Sequence, residues 1–451
     1  MKNFGFKDEK EVLEVLKERK EVKFVRMIFP DVLGREMSFC IPSEELESAF
    51  KNGKGFDGSS VEGFARIEES DLYFFLDPKT FRILPWDYQL EGVSWKEAIV
   101  FGKIFDSKGN EFPGDSRRIL EKVLEKTKEY GELFVGPELE FYIFKDEKTP
   151  ELLDYGGYFH GGKWGEIRKL AQIYLAQMGI EIDCDHHEVG PSQHEIDLKF
   201  NNALSIADSV MIAKYVLKRV ARNAGVYVSF MPKPITGMIG TGMHLHLSLW
   251  KNGKNLFFEK GGLSEIAKKY MMGLIKYGRE IQLVLNQWVN SYKRLVPGFE
   301  APVYLAWGTR NRSAYIRVPE VPKGKERSTR IEIRSPDPAC NIYLAFAAIQ
   351  AAGVQGIKEN LKLIPPQERN IYKMTKEEMK KLKIATLTKN LKEALEIFKK
   401  SKLMKETLGD HIFQKLIQNK EIEWQKYKKS VGKKYQKEVS PYEIKEYLPV
   451  L

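Results

Sequence analysis

The stretch from Gly136 to Phe144 places two glutamates on one face of a single predicted strand. Apolar and polar residues alternate along it, and it is rich in aromatic and branched side chains, which predicts a β-strand. Glu138 and Glu140 then lie about 7 Å apart on one side of the pleat. Neighbouring like charges destabilise a fold unless a positive group lies over them. A Lys or Arg on an adjacent strand and a divalent cation both satisfy this requirement, and the stretch alone leaves both open.

Further predicted strands repeat the alternation and carry catalytic-type groups on their polar faces: Glu195 in residues 193–200, His244, His246 and Ser248 in 241–250, and Glu332 in 330–334. Such strands suggest an antiparallel sheet whose polar face lines a shared cleft. With the nearby Glu188, the glutamates of this face and His244 offer five carboxylates and one imidazole, enough for two divalent cations. Mg²⁺ or Mn²⁺ suits these ligands, whereas Zn²⁺ prefers more His or Cys.

Arginines are frequent in the same part of the chain: Arg294, Arg310, Arg312, Arg317, Arg327, Arg330 and Arg334. Because a guanidinium group binds phosphate oxygens bidentately, arginines beside carboxylate-bound cations indicate a phosphate ligand. The sequence has no GxxxxGK[ST] motif, so a P-loop does not hold that phosphate. The residues alone therefore predict metal-dependent phosphoryl transfer outside the P-loop class. Arg310 is left out of the predicted site because it can simply pair with a carboxylate.

Composition excludes several other classes of protein. The 451 residues, 43% hydrophobic and 30% charged, are typical of a globular protein with two or three domains. Neither a signal peptide nor an apolar run long enough for a membrane span is expected. The net charge of +11 comes largely from Lys-rich stretches mixed with Glu at helical spacing, which predicts solvated helix faces rather than a nucleic-acid partner.

Isolated cysteines and histidines are predicted to be structural. Three widely spaced cysteines without a CxxC pair, Cys40, Cys184 and Cys340, indicate a reducing cytoplasm, and ordinary buried thiols are expected. His160, His186 and His411 are expected to be surface or core residues, and His194 to be buried.

The segment Phe112-Pro-Gly-Asp115 is predicted to be a domain boundary, which divides the chain into residues 1–111 and 112–451. A helix capped by Asp115 or Ser116 is expected to follow. Within the first unit, Lys54–Gly63 contains three glycines and predicts a loop. That loop either connects two strands or delivers Asp57 to a site.

Seven motifs occur together in this chain: Phe56-Asp-Gly-Ser-Ser60, Gly136-Pro-Glu-Leu-Glu140, His187-Glu188 with Gln193-His-Glu195, Lys233-Pro234 followed by Gly242-Met-His244, the segment from Asn290 to Glu300, Asn311-Arg-Ser313, and Arg330-Ile-Glu-Ile-Arg-Ser-Pro-Asp-Pro338. Each motif alone is weak, but in this order they resemble class I glutamine synthetase from about residue 15 onward. The resemblance implies an α+β fold with an N-terminal β-grasp domain (1–111) and a catalytic domain (112–451) that has a curved antiparallel sheet and flanking helices.

The resemblance further implies a cytoplasmic enzyme of nitrogen assimilation. Its reaction is the ATP-dependent ligation of ammonia to L-glutamate through a γ-glutamyl phosphate. Family members are typically homododecamers of two stacked six-membered rings, in which the loop with Asp57 reaches the active site of a neighbouring subunit. Glutamine, 2-oxoglutarate and small nitrogen-regulatory proteins are regulators found among relatives, and the last of these are possible partners here.

The resemblance also implies roles for individual residues in these motifs. One Mg²⁺ or Mn²⁺ would be held by Glu140, Glu188 and Glu195, and a second by Glu138, His244 and Glu332. The substrate glutamate would contact Gly240, Arg294, Glu300, Arg312 and Arg334. ATP would contact Asp183, His246, Ser248, Arg312, Arg317, Arg327 and Arg330. Catalytic roles would fall to Asp57 as the ammonium site, Glu300 as a flap that shields the intermediate, and Arg312 as the group that neutralises the moving phosphoryl; Arg66 resembles a feedback-regulatory arginine.

The sequence also departs from the family pattern. Ile239 stands where the family usually has Asn, and its side chain cannot hydrogen-bond the backbone end of glutamate. The loop at Tyr158–Lys163 is shorter than usual, and the surroundings of Tyr372 predict that it is not adenylylated. Two other functions therefore stay open: ligation of glutamate to another amine, and a catalytically silent relative that acts as a scaffold or nitrogen-sensing partner.

Overall fold

The computed structural model describes residues 3–63, 71–160, 162–259, 262–298, 301–311, 313–369, 371–382, 384–432 and 437–451. Three residues with roles implied by the resemblance, Arg66, Glu300 and Arg312, lie outside the described residues. All the other predicted site residues lie within them.

The strands are β1 (Val22–Pro30), β2 (Glu36–Pro42), β3 (Lys54–Asp57), β4 (Asp71–Leu76), β5 (Arg82–Ile83), β6 (Tyr88–Leu90), β7 (Val93–Asp106), β8 (Glu132–Phe144), β9 (Ile182–His187), β10 (Gln193–Leu198), β11 (Asn201–Asn202), β12 (Tyr227–Ser229), β13 (Met243–Lys251), β14 (Lys254–Asn255), β15 (Phe258–Glu259), β16 (Gly262–Leu263), β17 (Tyr304–Gly308), β18 (Ala314–Arg317), β19 (Ile331–Ile333) and β20 (Ala385–Thr386). The helices are α1 (Glu9–Glu18), α2 (Leu46–Asn52), α3 (Ser116–Thr127), α4 (Gly162–Gln177), α5 (Ala203–Asn223), α6 (Glu265–Leu285), α7 (Ser291–Arg294), α8 (Ile342–Lys358), α9 (Lys376–Lys381), α10 (Leu391–Phe398), α11 (Lys402–Val431, broken at Gly409) and α12 (Pro441–Tyr447).

The first sheet contains seven of the described strands, in the order β2-β1-β7-β4-β3 with β5 and β6 also paired to β7. The pair β1–β7 is parallel and the others are antiparallel. The prediction of a loop over Lys54–Gly63 is wrong for its first part, because β3 pairs with β4 along its whole length. Asp57 is therefore the last residue of an edge strand, followed by a single 3₁₀ turn.

The second sheet contains eleven of the described strands and follows the order β20-β17-β18-β19-β13-β8-β10-β9. Its pairs are antiparallel except β17–β18, which is parallel. The four strands predicted from alternation are β8, β10, β13 and β19, and all four predictions are confirmed. Side chains on their apolar face, such as Leu139, Ile196 and Leu245, are fully buried.

Helices cover this apolar face. Helix α5 packs on β8, and α8 packs between α3 and α6. Helix α3 begins as predicted, because the Asp115 carboxylate accepts the backbone N–H of Arg118 at 3.1 Å. The core is thus continuous behind the polar face, so that face is the open side of the sheet.

A buried ionic network joins the two parts of the chain. Arg117 on α3 donates to Asp208 on α5 from Nε and Nη2, both at 3.0 Å, and Nη2 also donates to Asp77 at 3.2 Å. The Tyr343 hydroxyl on α8 donates to the same Asp208 carboxylate at 2.6 Å. Asp77 directly follows β4, so one guanidinium group connects the first sheet with three helices of the second unit. The division at residues 111 and 112 itself stays a prediction.

Two expectations about single residues are wrong. Cys40 and Cys184 are exposed, and only Cys340 of the three free thiols is buried. The reason is their position on strand faces that carry polar neighbours; the Cys184 thiol donates to the Asp197 carboxylate at 2.8 Å.

As for membrane spans, none of the described helices combines the length and apolar character that crossing a bilayer requires.

Replacing Arg117 with Leu should lower the free energy of unfolding by about 3–5 kcal/mol, because Asp208 would be left buried without its cation. Urea unfolding followed by tryptophan fluorescence measures this loss. The matched control is Arg310→Leu, since the Arg310–Glu320 pair is exposed and should contribute less than about 1 kcal/mol. Equal losses in the two variants would contradict a structural role for the network.

Candidate active site

All six residues predicted as metal ligands line one cavity of about 360 Å³ on the polar face of the second sheet: Glu138, Glu140, Glu188, Glu195, His244 and Glu332. The same cavity is lined by Ile239 and by four residues predicted for substrates, namely Gly240, Arg294, Arg317 and Arg334. The strand register explains the convergence, since His244 lies opposite Glu138 and Glu195 lies opposite Glu140. Non-local pairing therefore brings together residues that are far apart in sequence.

The first group of possible metal ligands is Glu138, His244 and Glu332, whose ligand atoms all lie within 4.8 Å of one another. His244 Nδ1 is 2.9 Å from Glu138 Oε2 and 3.9 Å from Glu332 Oε1. The other Glu138 oxygen lies 2.6 Å from His246 Nε2. Burial raises the pKa of Glu138, but hydrogen bonds from the two histidines outweigh it and hold this pKa far below its usual value.

Arginines hold the Glu332 carboxylate in this structure. Arg334 Nε lies 3.1 Å from Glu332 Oε1, and Arg317 Nε contacts the other oxygen. In this structure Glu332 is thus paired with two arginines, whereas the two explanations left open for Glu138 and Glu140 are not decided by these contacts. Arg317, predicted for ATP, lines this cavity and not the second cavity described below, which the other described residues predicted for ATP line.

The second group of possible ligands is His186, Glu188 and Glu195, again within 4.8 Å. His186, expected to be an ordinary surface or core residue, lines the cavity as part of this group. His186 Nε2 lies 3.0 Å from Glu195 Oε1, and Nδ1 lies 3.3 Å from Glu188 Oε1. The sequence carried a signal for it, because a residue two positions before Glu188 on a strand points to the same side.

Glu140, predicted as the third ligand of this group, is oriented by neutral donors. Its Oε2 accepts from Gln193 Nε2 at 3.0 Å and from the backbone N–H of Gly242 at 2.7 Å. Glu140 still affects its neighbours electrostatically. The pKa values of Glu188 and Glu195 are both raised, mainly by burial and next by the negative charge of Glu140. A cation among these three carboxylates would remove that repulsion.

The residues present fit a pair of divalent cations. Oxygen ligands around an octahedral Mg²⁺ at 2.0–2.1 Å lie about 3–4 Å apart, so each group needs only a small contraction from its present spacing. The donors are mostly carboxylates, which suits Mg²⁺ or Mn²⁺. Asp197, at the edge of the cavity, has a buried carboxylate oxygen without a hydrogen-bond partner.

A second cavity of about 530 Å³ adjoins the first, and both are lined by Glu138 and Asp197. Five residues predicted for ATP line it: Asp183, His246, Ser248, Arg327 and Arg330. Arg330 Nε donates to His246 Nδ1 at 3.1 Å. Sequence reasoning missed the aromatic wall formed by Phe200 and Trp250, whose rings stack with centroids 6.2 Å apart.

Asp57 is not brought into either cavity. It is exposed at the end of β3, and its carboxylate accepts the backbone N–H of Ser59 at 2.8 Å. Among the described residues, it is the one predicted catalytic group that the single chain leaves apart from the cavities.

Two family models match the chain almost end to end. The model described as glutamine synthetase, beta-Grasp domain, matches residues 21–107, and the model described as glutamine synthetase, catalytic domain, matches residues 113–447. The chain belongs to the glutamine synthetase family. The predicted family, the α+β class and the N-terminal β-grasp domain are thereby confirmed.

Curated glutamine synthetases are similar to this chain over nearly its whole length. The protein from Methanosarcina mazei is 46% identical, and the alignment covers 98% of each chain. The protein from Thermotoga maritima is 41% identical over 97% of this chain and 99% of its own. Among solved structures, one described as "GmaS/ADP complex-Conformation 1" gives a TM-score of 0.83 at 27% identity and covers 93% of this chain and 97% of its own. Another, "Apo GmaS without ligand", gives 0.81 at 27% identity.

Mn²⁺ titration can distinguish the ligand predicted by family resemblance from the one indicated by the structure. We expect the unaltered chain to bind two Mn²⁺, and His186→Ala to weaken one of them about tenfold or more, since a ligand is lost. Glu140→Gln reports on the alternative ligand, and Glu147→Gln, outside both cavities, is the control. Titration with electron paramagnetic resonance detection measures free Mn²⁺. Unchanged binding in the His186 variant, with weakened binding in the Glu140 variant, would exclude His186 as a ligand.

Proposed function

We propose that the chain is an ATP-dependent glutamate–ammonia ligase, the activity named by its family. The γ-phosphoryl group of ATP passes to the side-chain carboxylate of glutamate, which gives γ-glutamyl phosphate and ADP. Ammonia then displaces phosphate and gives glutamine. The observation that supports this proposal is the pair of adjoining cavities, one rich in carboxylates and the other in arginine and aromatic groups, with Glu138 in the wall of both.

We propose that the nucleotide occupies the cavity of His246 and Arg330. The flat faces of Phe200 and Trp250 suit an aromatic base, and Arg327 and Arg330 suit phosphate oxygens. The γ-phosphate would then lie at the shared wall, beside Glu138. Two cations, Mg²⁺ or Mn²⁺, held by the ligand groups described above, would neutralise negative charge on phosphate and glutamate.

Glutamate would lie in the carboxylate cavity against Arg294. Arg294 is buried, and its guanidinium donates to the carbonyls of Ser335 at 2.7 Å and of Arg334 at 3.1 Å, which fixes its plane. Gly240 packs directly against the Arg294 side chain, since an added Cβ would lie only 2.7 Å from both Arg294 Cγ and the Pro232 carbonyl oxygen. A guanidinium held in place in this way suits a carboxylate ligand.

Ammonia activation is proposed for Asp57 and shielding of the intermediate for Glu300, with Arg312 opposite the phosphoryl group. The exposed edge position of Asp57, outside both cavities of its own chain, supports its delivery to a neighbouring subunit. We accordingly propose a homo-oligomer with shared active sites, a dodecamer of two rings, that works in cytoplasmic nitrogen assimilation. Feedback control through Arg66 and contacts with nitrogen-regulatory proteins belong to the same proposal.

ADP release, measured with ATP and glutamate in the presence and absence of ammonia, tests the reaction. Turnover should depend on ammonia and yield glutamine. Arg294→Gln should raise KM for glutamate about tenfold to a hundredfold, because it removes charged hydrogen bonds of about 1.5–3 kcal/mol. Arg310→Gln is the matched control, since its guanidinium is exposed and pairs with Glu320. ADP release with no dependence on ammonia or any amine would refute the ligase proposal.

A second candidate, ligation of glutamate to another amine, is favoured by Ile239. Its apolar side chain lines the carboxylate cavity, and its carbonyl is already bonded by the Tyr142 hydroxyl at 2.7 Å. If ammonia is the substrate, ammonia should outcompete methylamine in the assay above. Ile239→Asn should then lower KM for glutamate severalfold, since a side-chain hydrogen bond is gained. Preference for methylamine in the unaltered chain would favour the second candidate.

A further inference from the structure

A third cavity, of about 580 Å³, lies between the first sheet and helix α5 and shares no lining residue with the two cavities of the proposed active site. Its walls are strongly basic: Arg26, Arg35, Lys214, Lys218, Arg219 and Arg222. The one carboxylate side chain among the described lining residues is Glu36. A cavity of this size is in the range of small-molecule sites.

Most of this positive charge is not compensated. Arg26 is paired with Glu97 at 2.7 Å and Arg35 with Asp31 at 2.7 Å. No described carboxylate lies within 4.0 Å of the four cations on α5, which are Lys214, Lys218, Arg219 and Arg222. Glu36 offsets only part of their charge, because burial raises its pKa to about 7, so that it is only partly ionised at neutral pH.

The cations are held in place by groups that do not neutralise them. The Arg219 guanidinium lies 4.9 Å from the Tyr88 ring centroid, and the Tyr88 hydroxyl is 3.0 Å from that of Tyr215. Lys214 and Lys218 lie 5.4 and 5.8 Å from the ring of Phe230. Aromatic faces attract cations but leave their N–H donors available.

Two observations favour an anion among these groups. Arg219 Nε is buried and has no hydrogen-bond acceptor, which is a costly state for a charged donor. Burial and the neighbouring Lys214 also lower the pKa of Lys218 to about 8. An anion between these groups would satisfy the Arg219 donor and offset the repulsion.

We propose that this cavity is a binding site for a small polyanion with phosphate or carboxylate groups, separate from the active site. Arg219 supplies a directional donor and Lys218 a nearby charge, while Tyr88 and Phe230 keep both in position. An extended polymer such as nucleic acid fits less well, because the cationic residues line one cavity of about 580 Å³ rather than an extended stretch of surface.

The occupant would also act on the junction between the two sheets. Lys214 Nζ donates to the Pro338 carbonyl, in the segment that follows β19 and its Glu332. Asn341, three residues later, donates to the carbonyls of Asp31 and Val32, both at 3.2 Å. A ligand that bridges α5 and the first sheet would therefore lie beside the contacts that join these two parts of the chain.

Isothermal titration calorimetry on the full chain tests the site, with pyrophosphate and succinate as separate probes at equal ionic strength and without Mg²⁺. We expect at least one probe to bind, and the double variant Lys218→Met/Arg219→Met to weaken it about tenfold or more. Lys23→Met, an exposed lysine on β1 outside the cavity, should bind like the unaltered chain. Binding of pyrophosphate would indicate a phosphate ligand, and binding of succinate would indicate a carboxylate ligand.

Glu36→Gln provides a second test that does not remove a cation. Because it deletes the negative charge of the lining, it should tighten binding, whereas damage to the fold would weaken it. Binding of neither probe, or equal affinity in the unaltered chain and the double variant, would overturn the proposal. The latter result would place the anion in the nucleotide-side cavity, where Arg327 and Arg330 also attract phosphate.

Discussion

Strand register is the constraint on which the site depends. Strand β8 lies between β10 and β13, and its neighbours are aligned so that Glu138 faces His244 and Glu140 faces Glu195. A shift of one residue in either pairing would send these side chains to the opposite face of the sheet. The buried alternation of Leu139, Phe141 and their neighbours fixes the register, so the hydrophobic core determines where the charges meet.

Crowded carboxylates weaken the fold, and the structure offsets their repulsion in two ways. Around Glu138 and Glu332 the compensating groups are histidines and arginines at hydrogen-bond distance. Around Glu140, Glu188 and Glu195 the compensation is weaker, and the pKa values of Glu188 and Glu195 are raised. The network of Arg117, Asp208 and Tyr343 shows the contrasting case, in which a buried carboxylate has a cation and a hydroxyl of its own.

The sequence was sufficient for the strands of the site and for the identity of their charged residues, because alternation is a local signal. The family motifs predicted the class of fold and the β-grasp domain. Local signals did not show that Arg317 and Arg334 pair with Glu332, since those contacts depend on side-chain packing between strands. His186 was underestimated because it was weighed as an isolated histidine, although its spacing from Glu188 placed both on one face. The edge strand β3 was missed because a glycine-rich sequence usually indicates a loop.

Glu138 belongs to both cavities of the proposed active site, and each of its oxygens already accepts one imidazole donor, from His244 and from His246. Any cation that binds one of these oxygens must therefore compete with a histidine side chain. If a ligand displaces His246 from Glu138, the freed Nε2 lies in the wall of the second cavity and can bind a ligand there. Occupancy on one side thus alters affinity on the other, and thermodynamic reciprocity requires the converse to hold with the same factor. This shared carboxylate is a built-in reason for coupled rather than independent loading of the two cavities.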